Sequence, residues 1–181
     1  TFSVDTPFDP CHSTREFKIG MSDYAEFILL PHLFEEIAKI APDISIKVIH
    51  VNMLNDATLV SEGKLDFGIG VLTESNPTID SLVLFQEEPA CVTSKKYSPI
   101  KKLTLNHYLT QKHLAIVYQD EPSTTITDIT LKKANLKRDV ALSVPHMVSA
   151  LHALSRTSLI GTVPKRIALN LQKSLHLTIH K

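Results

Sequence analysis

With 181 residues, 43% of them apolar and 21% charged, the chain has ordinary globular usage and is long enough to bury one large core or two small ones. Nineteen basic residues balance nineteen acidic ones, so the segment carries no basic footprint for nucleic acid; if the protein binds DNA, this segment does not do the binding. No run approaches the roughly 18 apolar residues of a membrane span, and the opening TFSVDTPFDP lacks a signal-peptide pattern, which points to a cytoplasmic origin and no membrane partner.

Residues 1–14 hold two prolines and several small polar residues and read as a linker with a local docking contact. FKIGM (17–21) is a short strand, and the polar pair Ser22–Asp23 marks its passage into a helix. Asp23 fits the N-cap with Glu26 at N3, an Asp-x-x-Glu capping box. Phe27, Leu30, Phe34, Ile37, Ala38 and Ala41 then recur at spacings of three and four, predicting one buried helical face. Pro31 either kinks this helix or opens its main run, and Pro42 ends it. Residues 44–51 form a β-branched strand, 56–64 a short helix stopped by Gly63, and LDFGIGV (65–71) a buried parallel strand. The order βαβαβ predicts a parallel sheet.

The run LVLFQEEPACVTS (82–94) has Pro89 at its middle, where a ladder hydrogen bond is lost, so it is expected to cross from one sheet to another there. A second α/β set follows: helix 103–109, strand 113–118, helix 126–136, strand 139–144, helix 146–157, strand 158–163, a helix 164–174 with Pro164 at N1, and a final strand from 175.

The linker FDPCHSTREF, the opening FKIGMSDYAEFILLPHL, the segment SEGKLDFGIGV, the crossover LFQEEPACVTSKKYSP and the block VPHMVSALHALSRTSLIGTVPKRIA (144–168), in that order and spacing, resemble the effector-binding region of LysR-type transcriptional regulators. The last block is similar to the subgroup that regulates nodulation and aromatic-compound degradation. The resemblance implies an α/β fold of two Rossmann-like subdomains joined by crossover strands, periplasmic-binding-protein-like, divided as linker 1–15, subdomain I 16–89 and subdomain II 90–181. It implies a small-molecule effector, an organic acid or an aromatic compound, in the cleft between the subdomains. It further implies a homodimer or homotetramer, and operator DNA contacted only through an N-terminal helix-turn-helix absent from this chain. A closing segment that returns to the first subdomain in the family is also expected beyond residue 181.

Ser22 and Asp23 are at once a helix cap and a seat for a ligand, because a helix N-terminus offers unpaired N–H groups and partial positive charge. Asp23 repels a carboxylate, so an anion there must meet Ser22 and the amides. The resemblance assigns Ser22, Asp23 and Tyr24 to the effector, with Leu72. It adds Ser123 and Thr124 from the opposite turn, whose structural reading is a polar surface turn with an N-cap. Ser123 stands where some aromatic-responsive members place a histidine. His146, read locally as a solvated residue at a helix start where its cation is disfavoured, becomes an effector contact by the same resemblance, and Thr162 joins it. The first helix and following strand form the family's dimer contact, here Leu33, Glu36, Ile37 and Ile40, residues for which core packing competes.

No catalytic constellation is found. There is no GxSxG elbow, Gly68 and Gly70 lack the third glycine of a dinucleotide fingerprint, and Ser61–Lys64 matches SxxK without partner motifs. Glu35–Glu36 and Glu87–Glu88 are adjacent and point apart. Cys11 and Cys91 lack CxxC spacing, so neither a disulfide framework nor a zinc site is indicated. His176 and His180, in an extended run, stand roughly 13 Å apart, too far to share a metal. No metal, cofactor or enzymatic activity is therefore expected. The alternatives to a regulator are a periplasmic-type solute-binding protein, which a signal peptide in the parent gene would favour, and a small α/β enzyme.

Overall fold

The computed structural model describes residues 8–51, 56–71, 79–118 and 125–180. The chain divides into two compact units between Ser81 and Leu82. No helix among the described residues is long and apolar enough to cross a membrane.

The first unit opens with a 3-10 turn, Pro10–His12, capped by Asp9. It docks locally: Cys11 Sγ donates to the Ile40 carbonyl at 3.4 Å, and Phe8 meets Phe17 edge-on. Strand β1 (Glu16–Met21), helix α1 (Asp23–Ile40), β2 (Ser45–His50), α2 (Asp56–Ser61) and β3 (Phe67–Ile69) follow. The sheet is wholly parallel in the order β2-β1-β3, as the βαβαβ pattern requires. Ile19, Met21 and Ala25 are its core, with Phe17, Leu30, Leu33, Ile46, Val48 and Ile69 packed around them. Gly20 is required here, because a Cβ would stand 2.7 Å from Leu65. Gly63 ends α2 with a positive φ of 68°, the helix-stopping role expected of it.

Several expectations change in this unit. The cap of α1 is Ser22, not Asp23: Ser22 is extended and its Oγ accepts from Ala25 N–H at 3.3 Å, so Asp23 is the first helical residue. Pro31 lies inside a continuous α1, and the helix closes at Ile40, two residues before Pro42. The predicted apolar face of α1 is only partly covered, with Ala25 its one buried residue, Phe34 51% exposed and Ile40 59% exposed. β3 is an edge strand of three residues, and Phe67 is 55% exposed. An apolar run signals burial only where a neighbouring strand or helix supplies the cover.

The second unit contains β4 (Pro89–Ser94), α3 (Leu105–Thr110), β5 (Lys112–Ile116), α4 (Ile126–Lys133), β6 (Asp139–Val144), α5 (Met147–Ser155), β7 (Ile160–Pro164), α6 (Lys165–Leu171) and β8 (Leu177–His180). Its sheet has the order β6-β5-β7-β4-β8. β6, β5 and β7 are parallel, while β4 runs antiparallel to both β7 and β8. Residues 82–88 are not strand, so the expected crossover strand begins only at Pro89, the position whose missing N–H suits the start of a strand. Pro164 precedes α6 as its N-cap and ends β7, in place of the predicted N1. The core is Val92, Leu114, Leu151, Leu154, Ile160, Ile167 and Leu177, all nearly sealed from solvent. α5 lies so close on β7 that a Cβ on Gly161 would collide with Leu154 Cδ1.

Candidate functional site

Both sheets reverse winding direction about one central strand. In the first unit β1 lies between β2 and β3, and in the second β5 lies between β6 and β7. The helices that follow a central strand and its neighbour diverge to opposite faces there, and the carboxyl end of that strand opens a crevice; this is where open α/β sheets bind ligands. Ser22 stands one residue past β1, at that point of the first unit.

Ser22 is half-buried, with φ −78° and ψ 161°, and its carbonyl accepts from Glu26 N–H at 2.9 Å. A hydroxyl that accepts at a cap still carries a proton to donate. Asp23 and Tyr24 follow as half-buried residues of the first turn. Asp23 and Glu26 both sit where the helix dipole favours negative charge. The correction of the cap moves the hydroxyl, not the carboxylate, onto the helix amide.

In the second unit β5 ends at Ile116 and α4 starts at Ile126. Ser123 and Thr124 lie outside the described residues, as does Leu72 in the first unit. Thr125 is described and is the N-cap of α4, in a reciprocal capping box: Asp128 N–H donates to Thr125 Oγ1 at 3.3 Å and Thr125 N–H donates to Asp128 Oδ2 at 3.0 Å. Arg138 donates from Nε to Asp128 Oδ1 at 2.7 Å, and from Nη2 to Thr125 Oγ1 at 2.9 Å. Burial alone would raise the Asp128 pKa, but the bonds from Arg138 and Thr125 outweigh it and bring the value to about 2. Burial opposes the charge on Arg138 as well, and the Asp128 carboxylate reverses that, holding the guanidinium charged.

His146 caps α5 in an extended conformation without a side-chain cap bond; its ring is exposed and its carbonyl accepts from Ala150 N–H at 3.0 Å. Thr162, on β7, is half-buried; its Oγ1 lies 3.0 Å from the Tyr108 hydroxyl and 4.0 Å from Cys91 Sγ. Burial pushes the Cys91 thiol up, the wrong direction for a nucleophile. His113 is fully buried, and its Nε2 donates to the Tyr108 carbonyl at 2.7 Å. Desolvation first, and Arg138 after it, keep this imidazole neutral. His180 is also buried, its Nε2 2.9 Å from Thr93 Oγ1. Among the described residues no cluster of three His, Cys, Asp or Glu side chains could hold a metal.

Sequence reasoning pointed to Ser22 and to residues 123–124, and gave no sign of the contacts among Tyr108, His113, Asp128 and Arg138. The Thr-x-x-Asp spacing of residues 125–128 is a capping-box signal. Arg138 carries no local signal, because its partners lie ten and thirteen residues back.

Two α/β units, each wound about a central strand with polar capping turns at its switch point, define a ligand-binding fold of the periplasmic-binding-protein-like kind. A sequence profile of the LysR substrate binding domain matches residues 12–180, and the chain belongs to that family. The transcriptional activator NagR of Ralstonia sp. is 31% identical over 172 residues, which cover 94% of this chain and 57% of that protein. The regulatory domain of MexT, a transcriptional activator in Pseudomonas aeruginosa, superposes with a TM-score of 0.81 at 28% identity, covering 93% of this chain and 82% of that one. The effector binding domain of QuiR, solved with shikimate, shares the fold at a TM-score of 0.71 and 16% identity, covering 92% of this chain and 79% of that one. The chain spans about half the length of the curated relatives it matches. The family is one of transcriptional regulators, not of enzymes, which sets aside the solute-binding and enzymatic alternatives.

Proposed function

We propose that the chain is the sensing part of a LysR-type transcription factor, and that a small-molecule effector meets the switch-point turns of its units. Ser22, Asp23, Tyr24 and Leu72 are the contacts from the first unit; Ser123, Thr124, His146 and Thr162 are those from the second. The observation that carries this reading is Ser22 at the carboxyl end of the central strand β1, its Oγ engaged by the first turn of α1. Such a seat suits a hydrogen-bond acceptor such as an organic acid or an oxygenated aromatic compound. The units are read as subdomains 16–89 and 90–181 behind a linker of residues 1–15, which the start of β4 at Pro89 supports. Effector binding shifts the population between two arrangements by its differential affinity for them. In the whole protein this change reaches operator DNA through a helix-turn-helix outside this segment, in a cytoplasmic homodimer or homotetramer joined through Leu33, Glu36, Ile37 and Ile40.

The test is a thermal-shift screen of the full-length protein with benzoate, cinnamate, succinate and shikimate, repeated on Ser22→Trp and Ser123→Trp. A ligand at one hundred times its Kd stabilises by about 2.7 kcal/mol. The expected result is a shift in the parent protein that both substitutions abolish. A ligand whose shift survives both substitutions would show that these turns are not the site.

A further inference from the structure

One buried cation in the second unit is bonded to the cap of α4, the residue that follows the proposed contacts Ser123 and Thr124. Arg138, between α4 and β6, has a side chain only 2% exposed. Its Nε and Nη2 donate to the two Asp128 oxygens at 2.7 and 3.0 Å, and Nη2 also donates to Thr125 Oγ1 at 2.9 Å. Tyr108 on α3 is an electrostatic neighbour of the same guanidinium, and its hydroxyl lies 3.0 Å from Thr162 Oγ1 on β7. Arg138 is thus bonded to the cap of α4, and Tyr108 beside it makes the contact to β7. The Thr125 hydroxyl is saturated: it donates to Asp128 Oδ2 at 2.6 Å while accepting from Arg138 and from Asp128 N–H.

A buried ion pair is weak evidence for stability, since well-packed apolar side chains serve as well or better. What a forked guanidinium supplies is fixed geometry. We propose that Arg138 is the positioning residue of this unit: acting through Thr125 and Asp128, it fixes the start of α4 beside Tyr108, the neighbour of Thr162 on β7. This deepens the effector reading above and rests on it for its functional meaning, because Ser123 and Thr124, assigned there to the ligand, immediately precede the Thr125 cap. Arg138 itself, with its side chain 2% exposed, acts through these partners and not on the effector.

The experiment is hydrogen exchange and histidine NMR on the full-length protein without added ligand, so a wrong effector assignment leaves it readable. In Arg138→Gln, amides 125–129 should exchange at least tenfold faster, while amides of the β4–β8 pairing keep their protection. His113 is the spectroscopic reporter, facing Tyr108 from α3, Asp128 from α4, Arg138 after α4 and Asp139 at the start of β6. Its titration midpoint should rise in Arg138→Gln and return in Arg138→Lys, which restores the charge but not the fork. The lysine variant should leave amides 125–129 partly deprotected. Unchanged protection at 125–129, or an equal loss across the whole unit, would overturn the proposal. If Arg138→Gln fails to fold, Thr125→Val and Thr125→Ser ask the same question: only the valine variant should deprotect 125–129, and equal behaviour of the two would overturn it.

Discussion

Arg138 holds Asp128 by two nitrogens, Nε to Oδ1 at 2.7 Å and Nη2 to Oδ2 at 3.0 Å, yet the two partners are unequally buried, at 2% and 25% exposed. Cutting the pair from either side is therefore not equivalent. Asp128→Ala strands a desolvated guanidinium, whereas Arg138→Met leaves a carboxylate that water can still reach. The expected cost is about 3 kcal/mol for Asp128→Ala and about 1–2 kcal/mol for Arg138→Met. Urea unfolding of both variants measures the order, and the reverse order would contradict the asymmetry.

The same carboxylate sets a pH window. Asp128 has a folded pKa of about 2 against its ordinary 3.8. Because the folded value is the lower, the unfolded chain takes up the proton first. The stabilisation is complete above about pH 4 and drains away as the pH falls through about 2. The full difference corresponds to about 2 kcal/mol, and solvent screening of a partly exposed group reduces it to about 1 kcal/mol. Between pH 6 and pH 2 the parent protein should lose that much more stability than Asp128→Asn; parallel stability curves would remove Asp128 from the account.

Ser22 as the cap of α1 makes a prediction that the sequence-level assignment of Asp23 would invert. Ser22→Ala removes the acceptor of Ala25 N–H and should cost about 1 kcal/mol. Asp23→Ala leaves that acceptor in place, so the Ala25 amide should keep its protection there and lose it in Ser22→Ala. Hydrogen exchange at Ala25 in the two variants decides which residue caps.

The two glycines best explained by the fold should fail for different reasons. Gly161→Ala forces a methyl into Leu154, so α5 must retreat from β7, at a cost of about 1–3 kcal/mol. Gly63→Ala meets no atom within 4 Å and is strained only by φ of 68°, about 1 kcal/mol. A crystal structure of Gly161→Ala should show α5 displaced, and one of Gly63→Ala no displaced neighbour.

What was legible in the chain was its local grammar. Alternating strand and helix signals placed β1, β2, β5 and β6 and located the turns at both switch points. The cap went to Asp23 because Asp-x-x-Glu is the better-looking motif; the strand ends at Met21, so geometry hands the role to Ser22. The solvent cover of β3 and α1 was not legible, since an apolar pattern names a face but not what lies on it. Nor was the Arg138 network, whose members are brought together from α3, α4, β7 and the loop before β6 by topology alone.

The exposed side of α1 carries the last prediction. Leu30, Pro31 and Phe34 of the helix line an apolar cavity of about 340 Å³ with Ile46 and Val48 of β2, and Ile40 is 59% exposed beyond it. Around this surface Lys39 pairs with Glu35 and Glu36 at 3.2 and 2.7 Å, exposed contacts that contribute little to stability in the single chain. An apolar centre with a charged rim is the composition of an interface core. The proposed oligomer contact through Leu33, Glu36, Ile37 and Ile40 therefore expects Ile40→Glu to leave the unfolding midpoint of the isolated domain nearly unchanged, since Ile40 packs little within it. The same substitution should lower the mass of the full-length assembly in analytical ultracentrifugation. An unchanged mass for Ile40→Glu and for Ile37→Glu alike would place the oligomer contact elsewhere.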